Sequence, residues 1–199
     1  MEKTLKIGLP KGDAIGKSQS VISAYLGWEV NEGTLHYFNE RTRVHFYLLK
    51  PRDIPKLVYD GALDAGVTLM EWVIEKGYPL HTHTELDWCD TRVSLLTPRG
   101  QKVLGTKQPV TCVTEFPNIA EQFFQEHGEN YTIEHVSGSC EGMVPSIYNC
   151  AVDCVETGAS ARRHNLKEEA VVVRSRAVLV TKTSDISMQL KQVVKDLAV

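Results

Sequence analysis

Paired cysteines are missing from this sequence. Its five cysteines, Cys89, Cys112, Cys140, Cys150 and Cys154, are odd in number, and no two have Cys-x-x-Cys spacing. That argues against a disulfide framework and against a zinc knuckle. The expectation is small buried thiols in a reducing, cytoplasmic setting. Long apolar runs are missing too, and none reaches membrane-spanning length. The opening MEKTLKIGLPKG is a charged lead into a short strand and lacks the apolar core of a secretory signal. A basic excess is also absent. The net charge is −3 with both signs interspersed, so no basic stripe points to nucleic acid. Neither a membrane nor a nucleic-acid partner is expected. An anionic substrate stays open, because backbone dipoles bind phosphate without net positive charge. No internal repeat or low-complexity segment interrupts the chain. With 42% hydrophobic and 24% charged residues, 199 residues suffice for one large domain or two small lobes.

Short β-like runs alternate with helix-like runs. LKIGLP (5–10), VHFYLL (44–49), ALDAGVT (62–68) and RVSLLTP (92–98) read as strands. Helices are predicted over 14–26, from an Asp53 cap to about Gly61, and over 70–77. After a polar stretch at 98–109 the pattern restarts. Strands are predicted at 110–114, 131–136 and 150–155, with helices at 117–127 and 160–165. A β-rich stretch at 169–182 and an amphipathic helix at 184–197, capped by Ser184, close the chain. Such alternation predicts an α/β fold of mostly parallel sheets covered by helices. Two series predict two lobes.

The most informative segment runs from Asn149 to Ser160. A buried strand carries Asn149 just before it and Asp153 within it, then ends in Glu156-Thr157-Gly158-Ala159-Ser160 before a helix. These residues suit a phosphosugar. Gly158 permits close backbone approach, amides at a helix N-terminus favour an anion, and Thr157 and Ser160 add hydroxyls. Asp153 can accept from vicinal ribose hydroxyls. An ordinary βα connection would look similar, so this loop does not decide the matter alone.

The chain as a whole resembles the ATP phosphoribosyltransferase family. LKIGLPKG (5–12), LKPRDIPKLVYDGALDAGVT (49–68), LDWCDTRVSLLTP (86–98), TEFPNIAEQFF (114–124), SGSCE (137–141), residues 149–161 and SRAVLV (175–180) follow its segments in order. The resemblance implies two α/β lobes like those of type II periplasmic binding proteins, with the active site in the cleft between them. Lobe I is expected to comprise 1–93 and 174–199. Lobe II, 94–173, is expected to carry the phosphoribosyl pyrophosphate loop. The family joins N1 of ATP to C1 of phosphoribosyl pyrophosphate, releasing pyrophosphate, as the first step of histidine biosynthesis. Mg²⁺ is implied, bound mainly through substrate with no protein ligand assigned. The length resembles the short form, which works with a regulatory subunit similar to histidyl-tRNA synthetase. A homodimer or hetero-oligomer is implied by the resemblance alone.

The resemblance also implies roles. Thr157, Gly158, Ala159 and Ser160 take the 5-phosphate, Glu156 joins them in binding phosphoribosyl pyrophosphate, and Asn149 and Asp153 serve the ribose. Glu141 matches the Glu of Gly-Ser-Val-Glu and touches the ribose or pyrophosphate, or else caps a helix. Lys11, Asp13, Lys50, Asp64 and Arg92 fall to the nucleotide or other acceptor, with Arg52 serving the same anions or pairing with Asp53 or Glu71. The alternatives are a solvated turn lysine for Lys11, a structural turn for Asp64, and pairing with Asp87 or Asp90 for Arg92. Asp153, Glu141 and Lys11 are the catalytic candidates. They act by alignment and charge stabilisation, since holding two reactants in line supplies about 7–11 kcal/mol. His81, His83 and Glu85 alternate as zinc ligands can, but no fourth ligand is evident, and a solvated edge is expected.

Several positions depart from the family pattern. Asn149 replaces an Asp, Asp13 an Arg, Lys50 an Arg, Leu69 a Gly and Ala161 a Leu. The phosphate loop is spared and the acceptor side is altered. Two other readings stay open: a sibling phosphoribosyltransferase with a different nitrogenous acceptor, and a non-catalytic two-lobed binding or regulatory paralogue.

Overall fold

The structure is a computed structural model, and residues 4–30 and 33–197 are described. The charged lead at residues 1–3 lies outside them. The chain forms two compact units, one up to Cys89 and again from Arg176, the other Asp90–Ser175.

In the first unit, apolar residues at alternate positions build the central strands. Leu5, Ile7 and Leu9 on β1 (Leu5–Pro10) share a core with Val44, Phe46 and Leu48 on β3 (Val44–Leu49). β1 lies parallel to β3 on one side and to β4 (Ala65–Leu69) on the other. β2 (His36–Asn39) borders β3 antiparallel, and the end of β9 (Leu166–Thr181) borders β4 antiparallel. β2 escaped the sequence reading because four residues, two of them polar, carry too little periodicity. Helix α1 (Ile15–Leu26) and helix α6 (Met188–Leu197) add Ile22, Leu26, Leu190, Val193 and Leu197 to this core. Ala177 and Leu179 of β9 belong to it as well, while Val178 and Val180 face the other way. There they meet Ile54 and Val58 of α2 (Ile54–Tyr59). Close packing there requires glycine in the sheet. A Cβ on Gly66 would lie 2.3 Å from Ile54 Cγ2. Helix α3 (Met70–Lys76) follows β4 and is closed by left-handed Gly77.

Two caps differ from expectation. Asp53 precedes α2 but makes no side-chain cap bond, because a 3₁₀ turn at Pro51–Asp53 already gives it helical backbone. Helix α6 starts at Met188, and Ser187 rather than Ser184 caps it, its Oγ accepting from Leu190 N at 3.2 Å.

The chain enters the second unit along β5 (His81–Pro98) and leaves along β9. Both strands run through the positions, 93 and 173, at which the sequence reading divided the lobes. Within this unit β6 (Val110–Thr114) is parallel to β7 (Tyr131–His135) and to β8 (Cys150–Val155), and β5 borders β8 antiparallel. Helix α4 (Pro117–Glu126) buries Ile119, Ala120, Phe123 and Phe124. The short α5 (Ala159–Arg163) adds Ala161 to a core with Val113, Cys140, Ala151, Val155 and Leu166. Each unit therefore has three parallel strands, with antiparallel strands on both sides in the first and on the β8 side alone in the second. Parallel strands end at one edge, where ligand-binding loops of open α/β sheets gather.

Candidate active site

In the second unit the carboxyl edge carries the turns after β6, β7 and β8. Asp153 sits near the end of β8 and is 6% exposed. Its Oδ2 accepts from Cys140 N at 3.1 Å and from Cys140 Sγ at 3.2 Å, and its Oδ1 accepts from Cys154 N at 2.7 Å. Burial pushes its pKa up to about 6. The Cys140 and Cys154 donors oppose that rise, and the Glu141 charge adds to it. Glu141 opens a 3₁₀ turn (Glu141–Met143) and is 5% exposed. Two buried carboxylates thus share this edge, with Glu141 inside the turn rather than capping it. Thr114, fully buried, donates to Val152 O at 2.6 Å and accepts from Phe116 N at 2.8 Å, which fastens the turn after β6 to β8.

Beyond Val155 the chain turns out to solvent. Glu156, Thr157 and Ala159 are exposed, and Gly158 and Ser160 are half-buried. Gly158 precedes α5 with φ +70°, a left-handed conformation that suits glycine. A first helical turn leaves amides without carbonyl partners. Thr157 Oγ1 lies 3.4 Å from Ala159 N, and Arg162 Nη1 donates to Thr157 O at 2.9 Å.

Arg92 falls beside this loop. It pairs opposite Val155 in the β5–β8 register. Its guanidinium meets Glu168, and Nη1 donates to Glu156 O at 3.1 Å. Ser94 Oγ donates to Glu168 Oε2 at 2.8 Å. The Arg92 and Ser94 donors hold Glu168 below the usual carboxylate range, and the same pairing raises Arg92. Of the alternative partners Asp87 and Asp90, Asp90 contributes through its charge, while Glu168 takes the hydrogen bonds. That partner lies 76 residues away and left no local signal. Cys140, Arg162 and Thr114 were missed for a similar reason, since their bonds cross strands and turns.

Asn149 does not join the loop. It precedes β8, whose six residues put it about 20 Å from Thr157. Its Oδ1 accepts from Thr111 N at 2.8 Å, and its Nδ2 donates to Pro109 O at 3.0 Å. Both ends of the amide are used in fastening β6.

In the first unit Lys11, Asp13 and Lys50 stand at the carboxyl edge, just past β1 and β3. Lys11 N donates to Leu49 O at 2.8 Å, and Thr68 Oγ1 donates to Pro51 O at 2.8 Å, so these turns are tied together. Asp64 lies at the other edge. Its Oδ2 accepts from Lys6 N, and its own N donates to Lys6 O, both at 2.9 Å. It clamps the start of β1 and is separated from Lys11 by the length of that strand. His83 is not left to solvent, because Nε2 lies 2.6 Å from Thr181 Oγ1. Glu85 reaches Arg176 at 3.9 Å. Among the described residues no three His, Cys, Asp or Glu side chains are disposed to hold a metal ion. None of the five cysteines is in a disulfide, and Cys112, Cys140 and Cys150 are buried. No helix among the described residues is long and apolar enough to cross a membrane.

Fold and relatives together define an α/β phosphoribosyltransferase, an enzyme of the pentosyl-transferring class. The chain belongs to the ATP phosphoribosyltransferase family, whose model matches residues 50–199. It is 28% identical over 201 residues to the ATP phosphoribosyltransferase of Halothermothrix orenii, covering 96% of this chain and 90% of that one. Among solved structures, a chain of the ATP phosphoribosyl transferase (HisG:HisZ) complex from Thermotoga maritima superposes with a TM-score of 0.82. The identity is 21%, and the match covers 97% of this chain and 96% of that one. A putative L-cystine ABC transporter from Listeria monocytogenes shares the fold, with a TM-score of 0.61 at 12% identity over 98% of this chain and 89% of that one.

Proposed function

We infer that this chain transfers the phosphoribosyl group of phosphoribosyl pyrophosphate to N1 of ATP, the first step of histidine biosynthesis. The observation that carries the reading is the grouping, on one edge of the second unit, of the Thr157–Ser160 turn with the buried carboxylates Asp153 and Glu141. The turn's amides and hydroxyls take the 5-phosphate. Asp153 and Glu141 accept from ribose hydroxyls, which orients C1. Arg92 and Arg162 hold the Glu156 and Thr157 carbonyls and so set the shape of the turn. Lys11 and Lys50, past β1 and β3, attract the triphosphate, and Asp13 and Arg52 flank them. Asn149 and Asp64 are structural.

In the reaction the C1–O bond to pyrophosphate breaks, the leaving oxygen keeps the electron pair, and N1 of the adenine bonds to C1. No side chain need attack. Alignment and charge stabilisation supply the catalysis. Mg²⁺ carried on the diphosphate fits this donor set. The ion commonly keeps several waters and binds through substrate phosphates, so no three-ligand protein cage is required. When bound it neutralises charge developing on the leaving group. By analogy with the HisG:HisZ complex of Thermotoga maritima, a regulatory subunit is the expected partner; the family resemblance makes it one similar to histidyl-tRNA synthetase, in a cytoplasmic hetero-oligomer.

Asp13 favours a second reading. An acidic residue beside an expected triphosphate suits a sibling enzyme with a less anionic acceptor. The test is incubation with phosphoribosyl pyrophosphate, Mg²⁺ and ATP, with and without the regulatory subunit, measuring pyrophosphate and the ATP adduct. Adduct supports ATP as acceptor. Pyrophosphate release only with another nitrogenous base supports the sibling. Binding without any turnover overturns both and leaves a non-catalytic paralogue.

A further inference from the structure

We propose that Cys140 is a positioning residue for Asp153, its thiol and its amide together fixing one carboxylate oxygen and leaving an acceptor position on the other for the sugar. The proposal rests on the reading of Asp153 as a ribose acceptor.

An ionised carboxylate offers about four lone-pair positions. Cys140 N, at 3.1 Å, and Cys140 Sγ, at 3.2 Å, occupy both positions on Oδ2. Cys154 N, at 2.7 Å, occupies one on Oδ1. One position therefore remains, on Oδ1, for a single hydroxyl. Two donors from one residue on one oxygen prevent the carboxylate from rotating about its Cβ–Cγ bond. The thiol is fully buried, and burial with the Asp153 charge keeps it protonated, so it stays a neutral donor. Val113 O lies 3.5 Å from the same sulfur, farther than Asp153 Oδ2, so the carboxylate is the nearer acceptor for the one S–H proton. Packing alone would not require sulfur. The core around it holds Val113, Val144, Ala151 and Val155, where a valine would fit the same chemistry. Polarity is what cysteine adds, and Asp153 is where it is directed.

The experiment compares the full chain with its regulatory subunit as wild type, Cys140→Val, Cys140→Ser and Asp153→Asn. Phosphoribosyl pyrophosphate binding by calorimetry and kcat/KM are followed from about pH 5 to about pH 8. Removing a donor from the ionised carboxylate favours its protonation. Cys140→Val should lose roughly three- to tenfold in kcat/KM at the acid end, less at the alkaline end, as its acid limb moves to higher pH. Cys140→Ser should restore the limb. Substrate phosphate titrates in this range too, but identically for every variant. In wild type, the infrared S–H band that Cys140→Ser and Cys140→Val both lack should shift when phosphoribosyl pyrophosphate is added. A loss uniform across pH, one that serine does not restore, or an unshifted band overturns the proposal. The band keeps the test decisive if the valine variant folds poorly. If Asp153→Asn binds like wild type, the underlying site is wrong. If Asp153→Asn fails to bind while Cys140→Val matches wild type, only the role of Cys140 falls.

Discussion

Arg92 and Glu168 form a two-pronged pair, Nε to Oε2 and Nη2 to Oε1, both at 2.6 Å, and the third nitrogen of Arg92 reaches the Glu156 carbonyl. The pair therefore couples β5 and β9 to the loop that is to hold a phosphate. It also neutralises a carboxylate at that loop, since the Cβ position of Gly158 lies 4.0 Å from Glu168 Oε1. Arg92→Ala should leave that charge uncompensated beside an anionic ligand. The expected result is a rise of about tenfold or more in KM for phosphoribosyl pyrophosphate. Arg92→Lys should recover little, because a lysine lacks the planar fork. Steady-state kinetics of Arg92→Ala, Glu168→Ala and the double variant form the cycle that checks it. The double variant should bind better than Arg92→Ala alone.

Asn149 lies at the opposite end of β8 from Thr157, and Asp64 at the opposite end of β1 from Lys11, which makes a sharp expectation. Asn149→Asp keeps an acceptor for Thr111 N but loses the donor to Pro109 O. Asp64→Ala loses the acceptor for Lys6 N. Each should cost about 1–2 kcal/mol in urea unfolding while KM for both substrates stays within twofold. A selective rise in KM for either would return that residue to the binding site.

Position along a motif says how far apart residues are in sequence, but a strand converts five positions into most of a sheet's width. Asn149 and Thr157 bracket β8, so the strand that links them also separates them. Asp64 and Lys11 sit at opposite ends of the β1–β4 pair for the same reason. The strands themselves were legible because Leu5, Ile7 and Leu9, or Val44, Phe46 and Leu48, alternate visibly. The turn at 157–160 was legible because a glycine flanked by hydroxyl residues separates the strand from a helix, whereas its left-handed φ was not. Arg92–Glu168, Cys140–Asp153 and Asn149–Pro109 were not. A hydrogen bond between residues 13 to 76 positions apart leaves no periodicity to read.

Gly158 gives a prediction on backbone geometry. At φ +70° a side chain is strained, and a Cβ would sit 3.1 Å from Arg162 Nη1. Gly158→Ala should cost about 1–2 kcal/mol of stability. Gly158→Val, branched and larger, should also displace Arg162 from the Thr157 carbonyl and abolish phosphosugar binding. Calorimetry with phosphoribosyl pyrophosphate checks the binding and urea unfolding checks the stability. Valine at 158 with normal affinity would remove the turn from the site.

Asp153 should make activity and stability respond to pH in opposite directions. Its carboxyl must be ionised to accept a ribose hydroxyl, and burial raises its pKa to about 6. Activity should therefore climb through about pH 6 and level off above it. For stability the sign reverses. The folded state holds the proton more tightly than the unfolded chain, where an aspartate titrates near 3.9. The contribution of Asp153 is thus fully present below about pH 4 and is lost as pH rises through about 6. Glu168 acts the other way, because its folded pKa is depressed by Arg92 and its stabilisation fades only in acid. Comparing wild type with Asp153→Asn cancels that second effect. Between about pH 4 and about pH 6, the Tm of wild type should fall relative to that of Asp153→Asn, while wild-type kcat/KM rises and the variant stays inactive. A Tm difference that is flat across this range would mean that Asp153 is solvated like an ordinary surface carboxylate. It would then not be the buried acceptor on which the site depends.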